Sequence, residues 1–181
     1  MSKKQLVLDF SKNGSITTRD PHKRPRSVMF VCQGNIIRSP LIEGYFRKIV
    51  NSYNSGSGFL EIALDSCAVD SYNLEENPAY YSQQIAIENG FDISKHVSKL
   101  ITKKDFQKFD LIVSLDPYVF AKLQKLKPAN AAAKVIELLP GKYVTNPYMR
   151  PRADFDRMFE EIQIGVSQLI KNYFPELISI Q

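Results

Sequence analysis

From residue 27 onward the sequence predicts an α/β fold, because strand patterns alternate with helix patterns and so imply parallel pairing through right-handed crossovers. Three observations carry this expectation. Apolar runs of strand length recur at Ser27 to Cys32, Glu61 to Ser66, Phe109 to Leu115 and Lys134 to Leu139. Segments with apolar residues at helical spacing stand between and after them. No linker or internal repeat divides the chain, and 181 residues suit one domain with a proper core.

The first strand ends at Cys32, and Gly34 and Asn35 then allow a tight loop, since both tolerate positive φ. Ser39 and Pro40 mark a helix start, and Leu41, Tyr45, Phe46 and Ile49 continue it to about Asn51. Asn51 to Phe59 is rich in Ser, Asn and Gly and reads as a loop. Ile62 and Leu64 mark the second strand. Pro78 to Asn89 reads as a helix closed by Gly90. Leu111, Ile112 and Val113 form the most buried strand, after which Asp116 and Pro117 supply an N-cap and first-turn proline for a helix to about Leu126. A fourth strand follows, and then a helix from about Ala153 to Tyr173 with a stripe of Phe155, Phe159, Ile162, Val166, Leu169 and Ile170.

The first strand, loop and helix also carry chemistry. Ligands of parallel sheets bind outside the carboxyl ends of the strands, where Cys32 falls. A loop entering a helix there turns backbone N–H groups and the positive helix end toward a bound phosphate. A cysteine in that field is favoured as thiolate, the nucleophilic form. Six residues later Arg38 supplies a planar fork for two phosphoryl oxygens. Thiolate, anion cradle and guanidinium together describe a nucleophile that accepts a phosphoryl group. A buried cysteine at a strand end is the plainer reading, but it leaves the arginine and serine at the loop mouth unexplained.

Composition narrows the class. Cys32 and Cys67 are too few for a disulfide framework and favour a reducing, cytoplasmic compartment. They and the two histidines, His22 and His96, lack metal-ligand spacing, so no metal or other cofactor is expected. No stretch reads as a membrane span or signal peptide. The net charge of +5 resides in the leader. Residues 1–26 hold seven basic and two acidic side chains, against seventeen of each in the remainder. That balance argues against a nucleic-acid partner for the body. The expectation is a basic, flexible extension over residues 1–26, with Leu6, Val7, Leu8 and Phe10 able to dock, and a functional domain over residues 27–181.

Residues 31 to 40, with Gly34, Asn35, Ile36, Arg38, Ser39 and Pro40 in their places around Cys32, resemble the signature of the low-molecular-weight protein tyrosine phosphatases. Later landmarks extend the resemblance to about residue 175: Asp65-Ser66, Lys95-His96, Thr102 to Phe106, Phe109-Asp110, Ile136 to Leu139, Pro147-Tyr148 and Asp154-Phe155. The resemblance implies a four-stranded parallel sheet, flavodoxin-like, with helices on both faces and the first strand central. It implies two-step hydrolysis of phosphotyrosine, or of small aryl phosphates, with inorganic phosphate or vanadate as inhibitors. Cys32 would be the nucleophile. Arg38 and the amides of Gln33, Gly34, Asn35, Ile36, Ile37 and Ser39 would bind the phosphoryl oxygens. Asn35, Ser39, Ser66 and His96 would support the loop, and Tyr72, Tyr148 and Asp116 would line the substrate wall.

Two departures qualify the resemblance. The family's general acid is the aspartate of Asp-Pro-Tyr, and here Asn146 precedes Pro147 and Tyr148. An amide cannot protonate a departing phenolate, so slowed turnover is expected. Ile37 stands where the family often has a second cysteine, leaving Cys67 either as an oxidation partner of Cys32 or as a small core residue. Two alternatives to a slowed phosphatase follow: a phosphoprotein-binding pseudophosphatase and an arsenate reductase-like thiol enzyme.

Overall fold

The computed structural model describes residues 8–10, 16–18, 24–56 and 58–180. In the leader, β1 (Leu8–Phe10) pairs antiparallel with β2 (Ile16–Thr18). Leu6, Val7 and Lys23 lie outside the described residues. Attachment to the body starts before residue 27. Arg24 pairs with Glu176 at 2.7 Å, and the Arg26 amide donates to Asp110 Oδ2 at 2.7 Å.

Four parallel strands form the body: β3 (Ser27–Cys32), β4 (Ala63–Ala68), β5 (Leu111–Ser114) and β6 (Lys134–Glu137). Their order, β4-β3-β5-β6, puts the first of them inside the sheet as expected. The crossovers are α1 (Arg38–Gly56), α2 (Tyr80–Glu88), the one-turn α3 (Asp105–Lys108) and α4 (Pro117–Leu126). The chain then enters α5 (Arg152–Tyr173) and a closing 3-10 turn, Pro175–Ile180.

Side chains of β3 alternate between two cores, as strand geometry requires. Val28, Phe30 and Cys32 face α1, α2 and α5, while Met29 and Val31 face Phe106, Val119 and Leu123. Helices therefore cover both faces. Phe46 of α1 lies between Phe30 and Phe174, at ring-centroid distances of 5.9 and 5.3 Å. Aromatic pairs of this kind add about 0.5–1.5 kcal/mol each beyond burial.

The helix expected to stop near Asn51 runs on to Gly56. Tyr53 continues the stripe of Phe46, Ile49 and Val50 onto the core, and the polar residues that suggested a loop serve the helix end. Asn54 Oδ1 accepts from the Leu60 amide at 2.7 Å, and Ser55 donates to Asn51 O. The second strand lies two residues later than expected, because the ladder aligns Ser27 with Ala63 and Cys32 with Ala68. The third and fourth strands are shorter, and α3 was not anticipated. Gly90 ends the α2 region at φ +74°, where glycine is least strained.

Candidate active site

β3 delivers Cys32 to the carboxyl edge of the sheet, and the chain makes one tight loop before α1 starts at Arg38, one residue earlier than expected. Two donors converge on the sulfur. The Asn35 amide lies 3.2 Å from Cys32 Sγ, and Ser39 Oγ lies 3.0 Å away. Asn35 Nδ2 donates to Ser39 Oγ at 2.8 Å, which leaves the serine proton for the sulfur.

Asn35 holds this loop together. It is buried with φ +56°, a conformation few residues other than glycine accept cheaply. Its Nδ2 also donates to Ser66 Oγ at 3.1 Å, and Ser66 donates on to Glu43 Oε2 at 2.8 Å. Its Oδ1 accepts from the Lys99 amide and from His96 Nε2, each at 3.1 Å. Both partners of His96 Nε2 on Asn35 are carbonyl oxygens, so that nitrogen bears the proton. Burial pushes the His96 pKa down, and nearby Glu43 only partly opposes it.

The loop carbonyls point away from the pocket and are nearly all occupied. Cys32 O accepts from the Val69 amide, Gln33 O from Asp70 and Ile36 O from Ala79, at 2.7–3.0 Å. Asn35 O accepts from His96 at 3.2 Å and Ile37 O from Ser82 Oγ at 3.2 Å. In a trans peptide each carbonyl opposes the following N–H. The amides of Gln33, Gly34, Ile36, Ile37 and Arg38 are thereby turned the other way, toward the pocket those residues line. The outcome is a ring of donors closed by the amino end of α1.

Arg38 is buried at the floor of the pocket it lines, where its Nη1 donates to Asp116 Oδ2 at 2.7 Å and to Val144 O at 3.1 Å. Asp116 also caps α4, as expected, by accepting from the Val119 amide at 2.8 Å. It does not line the substrate wall. One carboxylate instead orients the arginine and starts a helix, and its place behind Arg38 keeps it out of the pocket. Ser39 is also beneath the floor rather than on it.

The pocket has a volume of about 400 Å³. Tyr72, Asn73, Asn146 and Tyr148 complete its lining. Gly34 permits close approach of the 72–73 segment, since a Cβ there would lie 2.7 Å from Asn73 Oδ1. Asn146 is held in place through its neighbours. The Val144 amide donates to Leu115 O, and Thr145 is tied to Glu161 through its amide and hydroxyl at 2.6 and 2.9 Å.

Cys67 sits on β4 opposite Val31, pointing into the core of Met29 and Val31, with its sulfur 3.2 Å from Met29 Sδ. Cys32 faces the opposite core. The sheet separates the two sulfurs, and the small-core-residue reading of Cys67 is the right one. Among the described residues no group of His, Cys, Asp and Glu could hold a metal ion. No helix among them is long and apolar enough to cross a membrane.

The profile of the family described as low molecular weight phosphotyrosine protein phosphatase matches residues 27–176. The chain belongs to that family of hydrolases. It is 34% identical over 144 residues to the human low molecular weight phosphotyrosine protein phosphatase, covering 75% of this chain and 88% of the human one. The yeast (Saccharomyces cerevisiae) enzyme of that name is 31% identical over 155 residues, 80% of this chain and 93% of its own. The fold is similar to that of Vibrio vulnificus Wzb, solved with benzylphosphonate, at a TM-score of 0.71 and 21% identity, covering 82% and 99% of the two chains.

Sequence reasoning missed the outer supports: Glu43, Asp70, Ala79, Ser82, Lys99 and Glu161. Only Glu43 left a signal, since it follows Ser39 by four residues and so shares its helix face.

Proposed function

We propose that this protein is a cytoplasmic tyrosine phosphatase that works through a phosphocysteine and is slowed by Asn146. Donors converging on one sulfur carry the reading: the Asn35 amide and the Ser39 hydroxyl both lie within hydrogen-bond distance of Cys32 Sγ. That sulfur attacks phosphorus in line, the P–O bond breaks, and the phenolate leaves with the electron pair. Arg38 and the inward amides meet the charge spread over the equatorial oxygens. Water then attacks phosphorus, the S–P bond breaks, and the thiolate returns. Inorganic phosphate and vanadate fit the same ring and are expected to inhibit.

Both steps need a proton moved at the mouth. Asn146 is the group present there, and no carboxylate lines the pocket among the described residues. A positioned acid or base contributes about a hundred- to ten-thousandfold. Phosphotyrosyl peptide turnover therefore suffers by that order, while p-nitrophenolate, an acidic leaving group, departs with little help. The same substitution supports a second reading, a phosphoprotein-binding module that retains its ligand. The arsenate reductase-like reading loses its resolving thiol, because Cys67 lies across the sheet.

Turnover of p-nitrophenyl phosphate and of a phosphotyrosyl peptide by the intact chain and by Asn146→Asp tests this. The aspartate is expected to raise peptide turnover far more than aryl phosphate turnover. Equal effects would remove Asn146 from the acid position, and binding of phosphate with no turnover by the intact chain would favour the second reading.

A further inference from the structure

The phosphatase chemistry makes no use of the Asp70 carboxylate, although it is only 8% exposed and gathers three donors. Lys122 of α4 forms an ion pair with it, Tyr118 donates to it at 3.1 Å, and the Tyr72 hydroxyl donates to it as well. Gln33 Nε2 donates to that same hydroxyl at 2.6 Å. The Asp70 amide donates to Gln33 O at 3.0 Å, so residues 70–72 join the first residue of the phosphate loop through backbone and side chain. Burial works to raise the Asp70 pKa, but hydrogen bonds from Lys122, Tyr72 and Tyr118 outweigh it and keep the carboxyl below its ordinary value.

Tyr72 itself is 60% exposed, so packing alone does not fix its ring. Its hydroxyl is held from both sides, by an acceptor on Asp70 and a donor on Gln33. An anchored ring offers a flat face at a set distance from the phosphate loop and loses little freedom when a second ring stacks on it. Alkyl groups gain nothing comparable from that face.

We propose that Asp70 is a positioning residue that holds the Tyr72 ring as a fixed wall, and that this anchoring makes the site prefer aryl over alkyl phosphate groups. The inference rests on the phosphate-binding reading of the pocket, and its test separates the two. Benzylphosphonate and methylphosphonate share the anion and differ in the ring. Their Kd values and the thermal midpoint are to be measured for the intact chain, Asp70→Asn, Lys122→Met, Tyr72→Phe and the double variant Asp70→Asn/Tyr72→Phe.

Asp70→Asn offers a single acceptor oxygen to three donors and turns an amide toward Lys122. It is expected to weaken benzylphosphonate about three- to tenfold while leaving methylphosphonate unchanged. Lys122→Met shifts the preference the same way by less. Tyr72→Phe keeps the ring and removes only the anchored hydroxyl, so it tests the anchor even if Asp70→Asn fails to fold. It is expected to reduce the aryl preference equally, and the double variant to lose no more than either alone. If both phosphonates weaken together, or if the preference survives Tyr72→Phe, the anchoring is wrong and the phosphate site stands. Failure of both phosphonates to bind the intact chain would overturn the phosphate-binding reading and this inference with it.

Discussion

On the floor of the pocket Cys32 and Arg38 are each 2% exposed and Asn35 is fully buried, whereas on the rim Tyr72 is 60% exposed and Tyr148 57%. The floor holds its shape through hydrogen bonds drawn from β4, α1, α2 and the segment around His96. Across the rim, Tyr72 is tied through its hydroxyl, but the Tyr148 hydroxyl has no partner among the described residues. Charge stabilisation needs donors fixed before the reaction, since any reorganisation adds to the barrier. Selection of a leaving group needs only a surface of suitable shape and proton chemistry. Floor substitutions should therefore lower rate and stability together, and rim substitutions should change rate or selectivity alone.

The largest effect expected comes from the rim. Asn146→Asp should raise phosphotyrosyl peptide turnover by about a hundred- to ten-thousandfold, with the thermal midpoint little changed. A large change in stability would break the contrast. On the floor, Asn35→Ala strands Ser66, His96 and the Lys99 amide and places a Cβ residue without local hydrogen bonds at positive φ. A loss of about 2–4 kcal/mol is expected in urea unfolding, together with most of the turnover. Full activity in that variant would show that the loop keeps its shape without its hub.

Oxidation sharpens the contrast at a single atom. Under mild peroxide Cys32 should pass to sulfinic and sulfonic acid with no Cys32–Cys67 disulfide in the peptide map, and Cys67→Ser should inactivate at the same rate. A mapped disulfide would contradict the sheet register.

The smallest effect is in pH. His96 has a folded pKa below its unfolded value, so between those values the unfolded chain binds more protons. Its contribution to stability is complete above about pH 6.5 and is lost as pH falls through the lower folded value. The thermal midpoint should fall on acidification through that window, and fall less in His96→Gln. An equal fall in the variant would assign the pH response to other groups.

The site was legible where its chemistry is contiguous. Residues 28 to 40 carry the proposed nucleophile, the loop and the helix start in one run, and local rules suffice to read them. Asp70, Ser82, Lys99 and Glu161 act only after distant segments meet, and single-residue patterns hold no trace of that meeting. In the fold, the long elements of the body were clear and their ends were not, while the one-turn α3 and the short β1–β2 pair left no pattern long enough to read. Pairing with β3 sets where β4 lies, and Tyr53 draws α1 past Asn51 into the apparent loop. Asp116 shows the same gap in reverse, since its helix cap was plain from Pro117 but its grip on Arg38 spans 78 residues.

Acid quenching during steady turnover of p-nitrophenyl phosphate, followed by peptide mass analysis, tests the nucleophile most directly. With no base at position 146 to hasten hydrolysis, a single phosphoryl adduct on Cys32 is expected to accumulate, with a burst of nitrophenol equal to the enzyme present. Continuing turnover with no adduct, or with the adduct on another residue, would contradict the assignment of Cys32.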